Sequence, residues 1–154
     1  MDAGYMITLQ GEQSLSQPVD VCWRQFKSLE FLVKCLPDLQ AVTSVESDRA
    51  TATIRPGFSF ARSDMQLTVE RLGESADHAA EYRFTTKGVG ASSVVDATFH
   101  LIPDATTCIM RWSARVQQLG GLLKAIPSGL IQGGAERVIK DMLQNIDRKL
   151  AAAT

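Results

Sequence analysis

Apolar and polar residues alternate through most of this chain and then change period near its end. From Tyr5 to Leu15, Ile7 and Leu9 alternate with Thr8, Gln10 and Glu12, the pattern of a strand with one buried face. Ser16-Gln17-Pro18 reads as a helix start, because proline is tolerated in a first turn, and Val19, Cys22, Trp23 and Phe26 then share one helical face. Ser28 can cap a second short helix. That helix must end by Pro37, since a proline drives the residue before it out of the α region.

A meander of strands follows, with turn residues at each join. The pattern predicts strands over Leu39 to Glu46, Ala50 to Arg55, Arg62 to Leu72, Ala79 to Thr86, Ser92 to Ile102 and Thr106 to Gln118. The turns fall at Ser47-Asp48, Gly73-Glu74, Gly88-Val89-Gly90 and Pro103-Asp104. From Leu119 to Leu150 the period becomes helical: Leu119, Leu122, Leu123, Ile126, Leu130, Ile131, Val138, Ile139, Met142, Leu143, Ile146 and Leu150 form one stripe. Pro127-Ser128-Gly129 should break this helix early and leave a regular segment from about Leu130. The whole predicts an α+β fold: a seven-stranded curved antiparallel sheet wrapped around a long C-terminal helix, with two short helices after the first strand.

The strand faces decide what chemistry is available. Ile7 and Leu9; Ala52 and Ile54; Met65, Leu67 and Val69; Tyr82 and Phe84; Val95, Ala97, Phe99 and Leu101; and Cys108, Met110, Trp112, Ala114 and Val116 point inward. Glu12, Glu70, Glu81, Arg83, Asp96, His100, Arg111 and Arg115 fall on the solvated face. An active site needs titratable groups facing a cleft, and almost nothing inward ionises. His100 reads as a surface histidine, and His78 lies in a loop beside Asp77 with no nucleophile near it in sequence.

Other motifs are excluded by context. Gly88-Val89-Gly90 leads into a strand, so the helix N-terminus that would hold a pyrophosphate is missing. Pro127-Ser128-Gly129 lacks the first glycine of a nucleophile elbow, and there is no HExxH or DxDxDG pattern. The net charge of −1 is spread along the chain, which argues against nucleic-acid binding. Three scattered cysteines, Cys22, Cys35 and Cys108, suit thiols in a reducing compartment. The N-terminal stretch has no signal-peptide pattern and no segment is apolar enough to span a bilayer. The expectation is one cytoplasmic domain over residues 1–154, with peripheral contact at the inner face of the membrane left open.

Two features point to a ligand cavity. Small residues Ala52, Ala80, Ala97 and Ala114 lie among large inward side chains, either leaving space or letting the helix approach closely. Arg55-Pro56-Gly57-Phe58-Ser59-Phe60-Ala61-Arg62 joins two strands with aromatics flanked by arginines. Phe58 and Phe60 either line an entrance, dip into a bilayer surface, or cap the core.

The order of elements resembles the START-like, SRPBCC helix-grip superfamily over nearly the whole chain. Within it, Cys35-Leu36-Pro37-Asp38, Lys87-Gly88-Val89-Gly90-Ala91 and Val116-Gln117-Gln118-Leu119-Gly120-Gly121-Leu122 resemble the family of the carbon monoxide dehydrogenase protein CoxG. The chain departs from that family's usual pattern at Pro37-Asp38, where Pro-Gly is common, and at Gln117-Gln118, where a glycine is common. The resemblance implies an accessory protein that works with a molybdenum hydroxylase of the carbon monoxide dehydrogenase type in membrane recruitment or electron delivery. It implies an apolar small molecule, a quinone or lipid, as ligand, and the absence of metal-binding and nucleotide-binding motifs leads to the expectation of no cofactor or metal.

The cavity expected from the inward faces is lined by Ile54, Phe58, Phe60, Met65, Leu67, Tyr82, Phe84, Val95, Ala97, Phe99, Met110, Trp112, Ile126, Leu130, Ile131 and Val138. Two other readings stand beside this one. The first is a polyketide cyclase or dehydratase-like enzyme using Tyr82 or Arg55 as polar handle, and the second is an interaction module with a filled core.

Overall fold

The computed structural model describes residues 7–55, 64–75, 77–88 and 90–152. In chain order these form β1 (Ile7–Leu15), α1 (Val19–Phe26), α2 (Leu29–Lys34), β2 (Leu39–Val45), β3 (Arg49–Ile54), β4 (Met65–Ser75), β5 (Ala79–Gly88), β6 (Ala91–Asp104), β7 (Thr107–Gly121), a 3-10 turn (Leu122–Ala125) and α3 (Ser128–Ala152). One antiparallel sheet holds all seven strands in the order β1-β7-β6-β5-β4-β3-β2. Antiparallel pairing of consecutive strands from β2 to β7 makes the meander, and β1 returns to pair with β7, all nine of its residues in register. The α+β helix-grip architecture expected from the sequence is the one observed.

Local chemistry accounts for the short helices. Ser28 caps α2 by accepting a hydrogen bond from Phe31 N–H at 3.3 Å, satisfying one of the donors a helix start leaves free. Cys22 and Phe26 of α1 and Leu29, Leu32 and Val33 of α2 are buried, joining both helices to one core with Leu9, Val69, Phe99, Leu101 and Met110. The three thiols are buried in that core. Burial pushes the Cys35 thiol up to about 12, and the hydrogen bond between Cys108 and Cys22, together with burial, keeps Cys108 protonated.

Two joins differ from the sequence pattern. Gly73-Glu74 is not a turn: β4 stays paired to β5 as far as Ser75 opposite Ala79, Gly73 pairs with Glu81, and the register shift beside it leaves Leu72 as the extra residue of a bulge. The reversal comes later, where His78 takes a left-handed φ of 66°. The terminal stripe is likewise not one helix. Leu119 belongs to β7, which remains paired to β6 until Gly121 meets Ala91, and Leu122 and Leu123 lie in the 3-10 turn. Pro127 then separates that turn from α3, consistent with the expected break.

The two departures from the family pattern fall on special backbone positions. Asp38 has a φ of 59°, the left-handed region where glycine is least strained and aspartate tolerated. Gln117 is the extra residue of a bulge, since Val94 pairs with Gln118 and Val95 with Val116. Here the residue also gains a partner, because its amide donates to Asp96 at 3.3 Å.

Asp96 itself corrects an expectation. It lies on the outward face as read, yet is only 5% exposed. Arg83 holds both its oxygens, at 2.8 and 2.9 Å, which is the bidentate geometry that compensates a desolvated carboxylate.

Candidate functional site

The sheet register stacks its inward residues in rows across the concave face. At the closed end Phe99 packs against Phe26 and Tyr82, with ring centroids 5.4 and 6.1 Å apart. Moving toward the strand ends that face the start of α3, one row holds Val69, Phe84, Val95 and Val116. The next holds Ala52, Leu67, Thr86, Ser93 and Leu119. Centre-sheet positions on a concave face are normally covered, but Phe84, Val95, Thr86 and Ser93 are all only half-buried.

The reason lies in α3. Its C-terminal half seals the core through Met142, Leu143, Ile146 and Leu150, and two polar contacts tie it down. Asp147 accepts from Ser16 N–H at 3.0 Å, and Asn145 donates to the Cys35 carbonyl at 3.0 Å. Toward its N-terminus only Ile131, Ala135 and Ile139 reach the core, each half-buried. One end of the grip is therefore closed and the other is open and apolar.

The sixteen cavity residues expected from the sequence separate accordingly. Ile54, Phe84, Val95, Ile126 and Ile131 are half-buried, and Met65 and Leu67 are buried beside them. Trp112 is half-buried and lies over Gly11, where an added Cβ would come within 2.7 Å of its ring. Ala97, Phe99, Tyr82 and Met110 belong to the solid core. Leu130 and Val138 point away from it, 69% and 38% exposed, because the first turns of α3 present them to its outer and side faces. Phe58 and Phe60 lie outside the described residues. Thr86 and Ser93 were missed by a reading that looked for apolar alternation, although the strand period alone places both on the inward face.

The polar handles are committed elsewhere. Tyr82 is fully buried and its hydroxyl donates to the Phe26 carbonyl at 3.0 Å, at the end of α1. Arg71, the one charged side chain on the concave face of the described strands, donates to the Ser47 carbonyl at 2.9 Å, to Asp48 at 3.0 Å and to the Lys27 carbonyl. Its guanidinium also lies 5.9 Å from the Tyr82 ring centroid. Together the two side chains donate to two carbonyls at the end of α1, of which the bond to Phe26 is the buried one. Burial raises the Tyr82 phenol above its ordinary value, the opposite of what a base would need. Arg55 is paired to Asp64 at 2.8 Å.

Neither histidine gains a catalytic partner. His100 Nε2 lies 4.0 Å from Asp77, and the ring of His78 packs edge-on against Trp23 at 5.5 Å. No group of three potential metal ligands occurs among the described residues. No helix among them is long and apolar enough to cross a membrane. A groove of about 490 Å³ between α2 and the C-terminal end of α3, lined by Ser28, Phe31, Lys34 and Lys149, is a separate feature. Eighteen residues of helix, about 27 Å, separate Lys149 from Ile131.

Comparison with known proteins agrees with this architecture. The family model for CoxG, a carbon monoxide dehydrogenase subunit, matches residues 11–151. A conserved protein from Geobacillus kaustophilus superposes with a TM-score of 0.85 at 16% identity, covering 96% of this chain and 97% of that one. A protein from Thermus thermophilus gives 0.70 at 14% identity, with 96% and 99% coverage. Norcoclaurine synthase from Thalictrum flavum gives 0.62 at 14% identity, with 95% and 87% coverage. At these identities the likeness is one of fold. A comparison with curated protein sequences finds no match.

Proposed function

Because the chain belongs to the CoxG family of carbon monoxide dehydrogenase proteins, we propose that it binds a small hydrophobic molecule, a quinone or lipid, in the open end of its grip. In this reading it is an accessory protein without catalysis of its own. It serves a molybdenum hydroxylase of the carbon monoxide dehydrogenase type, in membrane recruitment or electron delivery.

The observation that carries the reading is the half-exposure of Phe84 and Val95 at the centre of the concave sheet, beneath the loosely packed start of α3. Apolar walls that a protein leaves uncovered inside a concave face are suited to an apolar guest. The surroundings favour binding over chemistry. Tyr82 is locked to Phe26, Arg71 to Lys27 and Asp48, and neither of the two rows at the open end carries an ionisable side chain.

The test is organic extraction of natively purified protein followed by mass spectrometry, repeated after incubation with total membrane lipids. A stoichiometric isoprenoid or acyl species is expected. An empty extract in both experiments refutes the carrier role and favours the interaction module.

A further inference from the structure

Resting on the ligand-binding reading above, we infer that Thr86 and Ser93 hold the head of the guest, and that this head is a neutral carbonyl. The two residues are directly opposed on β5 and β6, so their side chains share the concave face at a Cβ separation of about 4.5–5.5 Å. Thr86 also pairs with buried Leu67, and Ser93 with Leu119, so both hydroxyls stand in an otherwise apolar row. Both are half-buried, and among the described residues neither hydroxyl has a hydrogen-bond partner. Neither hydroxyl is a buried unsatisfied group, so both stand as adjacent donors reachable from the open end.

The same surroundings set the class of guest. Ala52, Leu67, Leu119 and the Phe84–Val95 row offer no cation to an ionised head, so a carboxylate or phosphate there would be desolvated without a counter-charge. A quinone or ketone carbonyl asks only for the donors that Thr86 and Ser93 supply. Its apolar ring and chain would lie against Phe84, Val95 and the Ile131 side of α3.

The test compares decylubiquinone, squalene and decanoate as probes by equilibrium dialysis, with the infrared carbonyl stretch of bound decylubiquinone as a second reading. Thr86→Val and Ser93→Ala are each expected to weaken decylubiquinone binding about 3- to 10-fold while leaving squalene binding unchanged. The carbonyl band, lowered in the wild-type complex, should return toward its free position in both variants. Thr86→Ser keeps the hydroxyl and should retain both properties. If Thr86→Val fails to fold, Ser93→Ala with the infrared band decides the matter alone. Unchanged affinity and an unmoved band in the variants overturn the anchor, as does tighter binding of decanoate than of decylubiquinone by the wild type. A wild-type protein that retains neither decylubiquinone nor squalene defeats the hydrophobic-carrier reading itself, and the anchor with it.

Discussion

Replacing Tyr82 by phenylalanine removes one oxygen atom from the centre of the molecule and separates a structural hydroxyl from a catalytic one. The ring is fully buried against Phe99, and the hydroxyl donates at 3.0 Å to the carbonyl of Phe26, the last residue of α1. Phenylalanine keeps the packing, so the loss is confined to one hydrogen bond and to a helix-end carbonyl left without that donor. A net hydrogen bond is worth about 0.5–1.5 kcal/mol, and a buried group left unsatisfied costs about 1–3 kcal/mol. A destabilisation of about 1–3 kcal/mol is therefore expected, which in a domain of this size lowers the melting temperature by roughly 2–4 °C per kcal/mol. Urea unfolding followed by the emission of Trp23 and Trp112 measures it. The midpoint should fall with the slope unchanged, while uptake of an apolar probe by the folded variant stays at the wild-type level. A change below about 0.5 kcal/mol, the range of an ordinary surface substitution, together with lost binding or turnover would refute this assignment and return Tyr82 to the site.

Further expectations concern single positions. The Arg83 guanidinium holds the Asp96 carboxyl below the ordinary carboxylate range, so this pair stabilises the fold above the unfolded carboxylate pKa of about 3.9. That contribution is lost as pH falls through the lowered native value, and urea midpoints for Asp96→Asn should be lower than wild type at pH 7 and converge with it as the pH falls below the unfolded carboxylate range. Gly121 has a φ of 62°, and an added Cβ would lie 1.8 Å from the Gly90 carbonyl oxygen, so Gly121→Ala should sharply reduce soluble yield by prying apart the β6–β7 end. Gly133 lies within α3 with nothing within 4 Å of an added Cβ, so Gly133→Ala should stabilise the protein by up to about 1 kcal/mol in thermal unfolding.

Much of this molecule is legible without coordinates. Period-2 alternation identified all seven strands because each has one face on the core, and a strand cannot slip by one residue without exposing that face. Ser28 and Pro37 bounded α2 because capping and proline sterics act within a few residues. Short joins dictated antiparallel hairpins for the same local reason. The inward faces, and hence the scarcity of charge on the concave side, followed from strand parity alone.

What required tertiary structure is everything that depends on where two distant segments meet. Gly73 signals a turn or an irregular strand equally well, and only continued pairing with β5 keeps it in the strand, opposite Glu81 and next to the bulge at Leu72. The apolar residues from Leu119 to Leu130 fit a helical period, yet pairing of β7 to β6 keeps Leu119 in a strand and Pro127 delays α3. Helical period marks a stripe without saying how far along it the sheet stays in contact. The α3 stripe is sealed from Met142 onward and loosely seated at Ile131, so one end of the grip closes while Phe84, Val95, Thr86 and Ser93 remain reachable. Tyr82 was an inward hydroxyl in the sequence. Folding brought it to the end of α1, 56 residues away, where a backbone carbonyl needed it more than any substrate. Sequence pattern fixes which side of each element is apolar because that is a local periodicity, whereas the open end and the spent or free state of each polar group depend on contacts between segments far apart in the chain.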